Sequence, residues 1–286
     1  MGNPNAYIPF VQVRHNCLLV YDVPIVRECR ASMMENMGGK RAYSGEMTEH
    51  GRRRILKSVD LLLQKSPTRR IYNPVRGGEH DFRINFVTLT IADERNRTAR
   101  EGYDTCLKPF LRTARRKWGV EDYIWKAELQ NRGQLHYHLT TNKFIHLDEI
   151  RTTWNSLQKK AGYLDSYARK HRHFNPNSTD VHAVWKVRNL GAYLGKYIAK
   201  NVSKNEETAK LNGKIWDCSN TLKIDRFSTE LTQDMREELE DAAQHGQAKI
   251  THLEHCTIIH LTNPAGILTG SLAEEYQNHL TCGIQA

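Results

Sequence analysis

The sequence lacks any apolar run long enough to cross a membrane. No stretch of its 286 residues approaches the roughly 18–20 apolar residues that a membrane-spanning helix requires. The segment from Met1 to Phe10 also lacks the basic stretch followed by an apolar stretch that marks a secretory signal. We therefore expect a cytoplasmic protein with no membrane partner.

Cysteine pairs and nucleotide-binding loops are missing as well. The chain has six cysteines, and none of them forms a C-x-x-C pair, so the sequence predicts reduced thiols and neither a disulfide framework nor a zinc framework. No G-x-x-x-x-G-K-[ST] motif occurs, which argues against a fused helicase or ATPase. Internal repeats and low-complexity tracts are also absent.

The positive charge of the chain is unevenly distributed. The net charge is +10, yet the residues from 206 onward contain six Lys/Arg against thirteen Asp/Glu. Residues 1–205 therefore carry a net charge of +17. An excess of Lys and Arg can serve solubility alone. The uneven distribution fits better a protein whose basic part binds a polyanion and whose acidic part does not contact phosphates.

Three regions follow from the local patterns. Residues 1–76 form a basic extension, with one amphipathic helix predicted over residues 46–64. Residues 77–205 alternate strand and helix patterns and form the predicted core domain. Residues 206–286 form an acidic accessory region with a helical stretch over residues 230–244.

The middle region predicts the fold class. Residues 83–91 (RINFVTLTI) alternate as a strand does, and residues 123–129 and 134–140 form two further strands around a turn that contains Gly133. The remaining patterns are helical over residues 105–118, 148–160 and 189–200, with a strand over residues 181–186. This order predicts an α+β fold in which helices flank a central antiparallel β-sheet.

The chemically most informative segment is LHYHL, residues 135–139. Side chains two residues apart on a strand point to the same face, so His136 and His138 project together while the apolar residues face the core. Two adjacent imidazoles can bind a divalent cation, although H-x-H also occurs by chance. If the turn has three residues, Glu128 lies opposite His136, about 5 Å away at Cβ. A two-residue turn would shift this register.

Such a His–His–carboxylate set leaves coordination positions open for water and a phosphate oxygen. It suits Mn²⁺ or Mg²⁺. The cation predicted at His136, His138 and Glu128 would be the cofactor of the chain.

A second motif lies on the predicted helix over residues 189–200. Leu190, Leu194 and Ile198 form one apolar stripe on a helical wheel, and two tyrosines lie along its shoulder one turn apart. These tyrosines are each followed three residues later by a lysine, giving the pairs Tyr193 with Lys196 and Tyr197 with Lys200. The pattern fits an ordinary amphipathic helix. It also fits two phenol nucleophiles, each with a lysine to stabilise phenolate or phosphate charge.

These motifs occur in the order found in HUH endonucleases. The order is FVTLT over residues 86–90, then Glu128 with GQLHYH over residues 133–138, then the Y-x-x-K-Y-x-x-K run over residues 193–200. From about His80 to Asn205 the chain resembles the two-tyrosine rolling-circle replication initiators of small single-stranded DNA phages and related bacterial plasmids. The resemblance implies an RRM-like nuclease sheet, a metal site at the H-x-H pair with an upstream acid, and nucleophilic tyrosines on the helix.

What the resemblance implies is a metal-dependent, site-specific endonuclease and strand transferase. It would nick single-stranded or hairpin origin DNA, form a 5′-phosphotyrosine link and depend on a host helicase and polymerase in a bacterial cell. Three alternatives remain open. One is an HUH transposase or mobilisation relaxase, the second a noncatalytic nucleic-acid-binding protein, and the third a metal-dependent hydrolase that forms no bond to DNA.

Overall fold

In the residues that the computed structural model describes, the strands form three antiparallel sheets. These residues are 7–25, 47–72, 77–93, 97–130, 133–183, 194, 211, 213–261 and 263–281. The strands are β1 (Tyr7–Val13), β2 (Leu18–Pro24), β3 (Arg69–Tyr72), β4 (Glu79–Phe82), β5 (Asn85–Thr90), β6 (Tyr123–Leu129), β7 (Leu135–Thr141), β8 (Thr179–Ala183), β9 (Trp216–Cys218), β10 (Ser228–Glu230), β11 (Ala248–His252) and β12 (Thr257–Leu261). The main helices are α1 (Glu49–Gln64), α2 (Lys108–Trp118), α3 (Leu147–Lys160), α4 (Asp165–His171), α5 (Gln233–Gln244) and α6 (Gly270–Thr281).

The predicted α+β class is confirmed, with helices flanking antiparallel sheets. The strands and helices predicted between residues 83 and 160 match β5, α2, β6, β7 and α3 closely. Part of the strand predicted over residues 181–186 is seen in β8. The helix predicted over residues 189–200 lies outside the described residues, apart from Leu194, which is helical and fully buried.

The chain divides into two compact units. One combines Met1–Arg41 with Ile224–Ala286, and the other is Ala42–Lys223. This grouping differs from the three predicted regions because β1 and β2 pair with β10 and β12 from the far end of the chain. Helix α1, assigned above to the N-terminal extension, contacts β6 and β9 of the larger unit.

The larger unit is built on a five-stranded sheet with the order β8-β5-β7-β6-β9. One face is apolar because alternate residues of the strands, such as Val87 and Leu89, are fully buried in a single core. Helices α2 and α3 cover this face, and Phe110 meets Trp154 edge-on with ring centroids 5.7 Å apart. Burying side chains of this size stabilises the fold by about 1.5–3 kcal/mol each.

A continuous helical segment leads into α2. It consists of the short turn Ala99–Gly102, whose capping box joins Thr98 to Glu101, and the π-helical turn Tyr103–Leu107. A Cβ atom on Gly102 would lie 2.4 Å from Cδ2 of Leu135 and 2.6 Å from the hydroxyl of Tyr137. Only glycine lets this segment approach β7 so closely. The segment therefore supports the core side of the strand that carries the H-x-H pair.

The smaller unit has its own sheet, in the order β10-β1-β2-β12-β11. The helical stretch predicted over residues 230–244 is confirmed by α5, which begins after the N-cap Thr232. Val11, Leu18 and Ile259 from the sheet share a core with Tyr276 and Leu280 of α6. No helix within the described residues has both the length and the apolar character needed to span a membrane.

Candidate metal and strand-transfer site

Strand β7 presents both imidazoles on the sheet face opposite the apolar core. Leu135, Tyr137 and Leu139 belong to the core, as the alternation predicts, so His136 and His138 share the other face. Their ring centroids are 4.8 Å apart. The ring of His138 also stacks on Phe86 of the neighbouring β5, with centroids 5.2 Å apart.

The turn between β6 and β7 sets the register that the sequence analysis required. The backbone N–H of Gln130 donates to the carbonyl of Gln134, and Gly133 takes a positive φ of 79°. Glu128 is consequently paired with His136, which confirms the predicted register. Asn131 and Arg132 of this turn lie outside the described residues.

The carboxylate of Glu128, however, contacts the diagonal histidine. Its Oε1 lies 2.6 Å from Nε2 of His138. Diagonal neighbours on adjacent strands are only about 7–8 Å apart. The long side chain of a glutamate can therefore reach past its direct partner to the diagonal residue. The three predicted ligands are therefore adjacent, with Glu128 and His138 already hydrogen-bonded.

Two further side chains contact His136, and the sequence analysis assigned no role to either. The hydroxyl of Thr90 lies 2.9 Å from Nδ1 of His136, and Nε2 of Gln130 lies 3.0 Å from the same nitrogen. The Gln130 amide nitrogen can only donate, so its contact needs Nδ1 to accept. When Nδ1 carries the proton, it donates to the Thr90 hydroxyl instead, and the lone pair of Nε2 can bind a cation. The alternation of β6 could have indicated Gln130, which follows Glu128 by two residues on the same face.

Helix α3 fixes the end of β5 that carries Thr90. The indole N–H of Trp154 donates to the carbonyl of Thr90 at 2.8 Å, and the amide oxygen of Gln158 accepts from the backbone N–H of Ala92 at 2.7 Å. Both helix side chains are fully buried.

Burial and nearby charge set the protonation of the site. Burial, together with the charge of His138, lowers the pKa of His136 to about 4. Burial alone would raise the pKa of Glu128, but its hydrogen bond to His138 and the charges of His138 and Lys126 lower it. At neutral pH, the site therefore offers a neutral imidazole and a carboxylate, which are the forms that coordinate cations.

Two imidazoles and a carboxylate are suitable ligands for a divalent cation. The distance between Glu128 and His138, however, is that of a hydrogen bond and not that of two ligands of one ion. Two ligands of one ion, each about 2.1 Å from it, lie roughly 3 Å apart, further than the 2.6 Å between Glu128 and His138. Within the described ranges, no group of three or more His, Cys, Asp or Glu side chains has metal-site spacing. Cation binding would need the Glu128 carboxylate to move away from His138 by a fraction of an ångström.

A comparison with known protein families places this site in context. Residues 84–202 match the family model of the replication-associated protein ORF2/G2P. The matched range begins just before β5 and includes Glu128, His136 and His138. No curated protein and no solved structure matches the chain. The family match indicates a role in the initiation of replication.

The four residues predicted to perform the chemistry also fall within the part that matches the replication-associated family. They are Tyr193, Lys196, Tyr197 and Lys200, and all of them lie outside the described residues. Their distance from the histidines therefore stays a prediction. The burial of Leu194 agrees with the apolar stripe that the helical wheel assigns to this segment.

Proposed function

We propose that this protein initiates rolling-circle replication by nicking and rejoining single-stranded origin DNA through a tyrosine. The observation that carries the proposal is the cluster of Glu128, His136 and His138 on one sheet face, within the residues that match a replication-associated family. The match favours a replication initiator over the transposase and relaxase alternatives.

The proposed reaction is an exchange of phosphodiester bonds. The phenol oxygen of Tyr193 or Tyr197 gives up its proton and attacks the scissile phosphorus, and the bond from phosphorus to the 3′ oxygen breaks. The 3′ oxygen takes up a proton and leaves as a free hydroxyl, while the 5′ phosphate stays on the tyrosine. Lys196 and Lys200 stabilise the phenolate and the negative charge that develops on the phosphate.

The residues described above prepare the other half of the site. A Mn²⁺ or Mg²⁺ ion at His136, His138 and Glu128 would supply Lewis-acid polarisation of the scissile phosphate. The Thr90 hydroxyl accepts from Nδ1 of His136 and holds the ring in place in the tautomer that leaves Nε2 for the cation. Glu128, kept ionised by its surroundings, contributes the negative charge that attracts a cation.

Two tyrosines allow the nick to be resealed. The second phenol attacks the junction regenerated after one round of synthesis, and the released 3′ hydroxyl attacks the first phosphotyrosine to close the circle. The phosphotyrosine link is itself a phosphodiester and retains the energy of the broken bond. Joining therefore needs no ATP. A host helicase would unwind the duplex, and a host polymerase would extend the 3′ end.

A covalent-adduct assay tests the proposal. The protein is incubated with Mn²⁺ and end-labelled single-stranded DNA, and denaturing electrophoresis is used to detect a shifted band that survives detergent. We expect the band from the wild type and from Tyr72→Phe, a matched control at an exposed tyrosine of β3. The double variant Tyr193→Phe/Tyr197→Phe should give none.

The other outcomes separate the alternatives. An adduct that persists in the double tyrosine variant would show that the nucleophile is a different residue. Nicking without any adduct would indicate a metal-dependent hydrolase. Metal-independent binding with neither nick nor adduct would indicate a noncatalytic DNA-binding protein.

A further inference from the structure

The segment from Tyr167 to Phe174, which spans the end of α4 and the loop that follows it, has an unusual composition. We name it the α4 platform. Residues 166–179 contain Arg169, Lys170 and Arg172 and no Asp or Glu. All residues from 169 to 175 are exposed. This surface combines positive charge with aromatic and imidazole rings that solvent can reach.

The rings of the platform are already ordered against one another. His171 stacks on Tyr167 with centroids 4.3 Å apart, and His173 meets Tyr167 edge-on at 5.3 Å. Next to them, the ring of Phe174 is 40% exposed, with Nζ of Lys159 lying 4.4 Å from its centroid. Ring faces beside ammonium groups are the arrangement that binds unpaired bases and their phosphates.

A buried hydrogen-bond network holds the loop of the platform in place. Asn155 of α3 donates to the side-chain oxygen of Asn175 and to the carbonyl of Pro176, and it accepts from the hydroxyl of Ser178 at 2.6 Å. Arg172 caps α4 with a φ of 60°, and it is the one non-glycine residue with a positive φ in the described part of the chain. A loop fixed in this way loses little conformational entropy when it binds a ligand.

The platform joins the sheet at the end that carries His136. Ser178, at the end of the loop, accepts a hydrogen bond from the backbone N–H of Thr90, and Thr90 is paired with His136. Two strand spacings, roughly 10 Å, therefore separate the backbones of Ser178 and His136. A DNA strand that runs from the proposed site across β5 and past Ser178 would reach the platform.

We infer that the α4 platform binds single-stranded DNA next to the scissile phosphate, with its rings stacking on unpaired bases and its Arg and Lys side chains contacting phosphates. The inference rests on the proposed function, because it assumes a single-stranded DNA substrate. It adds a second contact region that lies outside the His–His–Glu cluster and outside the tyrosine helix.

The main test compares two triple variants, each of which replaces two exposed histidines and one exposed apolar residue by alanine. His171→Ala/His173→Ala/Phe174→Ala removes the exposed rings of the platform. His252→Ala/Leu253→Ala/His255→Ala removes two exposed imidazoles and one exposed apolar side chain from the end of β11 and the turn that follows it. Fluorescence anisotropy measures the binding of each protein to labelled oligo-dT and to an abasic strand with the same phosphates. Thermal unfolding shows whether each variant is folded.

We expect the platform variant to bind oligo-dT at least roughly tenfold more weakly than the wild type. The control variant should keep its affinity, and neither variant should differ from the wild type on the abasic strand. Equal affinities of the two variants for oligo-dT would overturn the inference. An equal loss on the abasic strand would also overturn it, because bases would then not be what the rings recognise.

Charge is tested separately through the salt dependence of binding. Arg169→Ala/Arg172→Ala should lower the slope of log affinity against log salt by about 1.4, the value for two lost phosphate contacts on a single strand. Arg236→Ala/Lys249→Ala, two exposed cations of the smaller unit, should leave the slope unchanged. A slope unchanged in the first variant would show that these arginines contact no phosphate. If the wild type bound a duplex of the same length as tightly as it binds oligo-dT, the platform would not be specific for single-stranded DNA, and the inference would be overturned.

The inference and the proposed function can fail independently. Loss of oligo-dT affinity in the platform variant, with no covalent adduct from any protein, would leave the platform valid and the tyrosine chemistry wrong. Adduct formation by the wild type, with normal affinity in the platform variant, would leave the chemistry valid and the platform wrong.

Discussion

Glu128 is paired in register with His136, yet its carboxylate oxygen lies 2.6 Å from Nε2 of His138, the next histidine along β7. The carboxylate thereby links the two adjacent strands at the centre of the candidate site. A cation bound by Nε2 of His138 would have to replace this hydrogen bond.

Glu128→Gln tests this role. The amide can still hydrogen-bond to His138 but lacks the negative charge, so we expect Mn²⁺ affinity to fall by at least roughly tenfold while the fold is kept. Titration calorimetry measures the affinity, and Glu121→Gln, at an exposed position before β6, is the control. Equal Mn²⁺ affinity in both variants would remove Glu128 from the ligand set.

Thr90→Val tests how the His136 ring is positioned. Valine keeps the shape and the strand preference of threonine but removes the hydroxyl 2.9 Å from Nδ1. Loss of such a partner lowers metal affinity by roughly 10- to 100-fold. Thr88→Val is the matched control, because its hydroxyl lies 3.5 Å from Nδ1 of His138, at the limit of a hydrogen bond. Comparable losses in the two variants would contradict a specific role for Thr90.

The pKa of His136 predicts how stability depends on pH. The unfolded chain binds a proton at this residue near pH 6.5, whereas in the folded protein the pKa is about 4. Between these values the unfolded state holds more protons, so stability rises with pH and is lost as pH falls from about 6.5 to about 4. Across this window the contribution is at most about 3–4 kcal/mol.

Urea unfolding of the metal-free protein at a series of pH values measures this effect. His136→Gln should flatten the dependence over the same window, while His255→Gln, at an exposed position, should not. A wild-type stability that stays constant from about pH 6.5 to about pH 4 would show that His136 titrates normally in the folded state.

Gly102→Ala tests the close approach behind β7. The new methyl group would lie within 2.6 Å of Leu135 and Tyr137, both of which are buried, and the Tyr137 hydroxyl is held by the carbonyl of Ala99. We expect a loss of about 1–3 kcal/mol of unfolding free energy, as overpacking of a core produces. Gly51→Ala, where the nearest atom is 3.2 Å away, should lose less in the same urea titration.

The parts of the site that the sequence predicts correctly are local. The register of Glu128 against His136 follows from strand alternation and a short turn, and both are properties of neighbouring residues. The contacts of Thr90 with His136 and of Ser178 with Thr90 depend on which strands lie side by side, and strand order comes from packing over long sequence distances. The same limit applies to β1 and β2, whose partners β10 and β12 lie at the other end of the chain.

The larger unit, Ala42–Lys223, is enclosed in sequence by the two segments that make up the smaller unit. During synthesis β1 and β2 leave the ribosome first, but their outer neighbours β10 and β12 follow only after the whole larger unit has been made. Until then the hairpin has two open edges, which are prone to pair with other chains. A shortened protein that ends at residue 223 would keep those edges exposed permanently, so the larger unit is best produced without the first 41 residues.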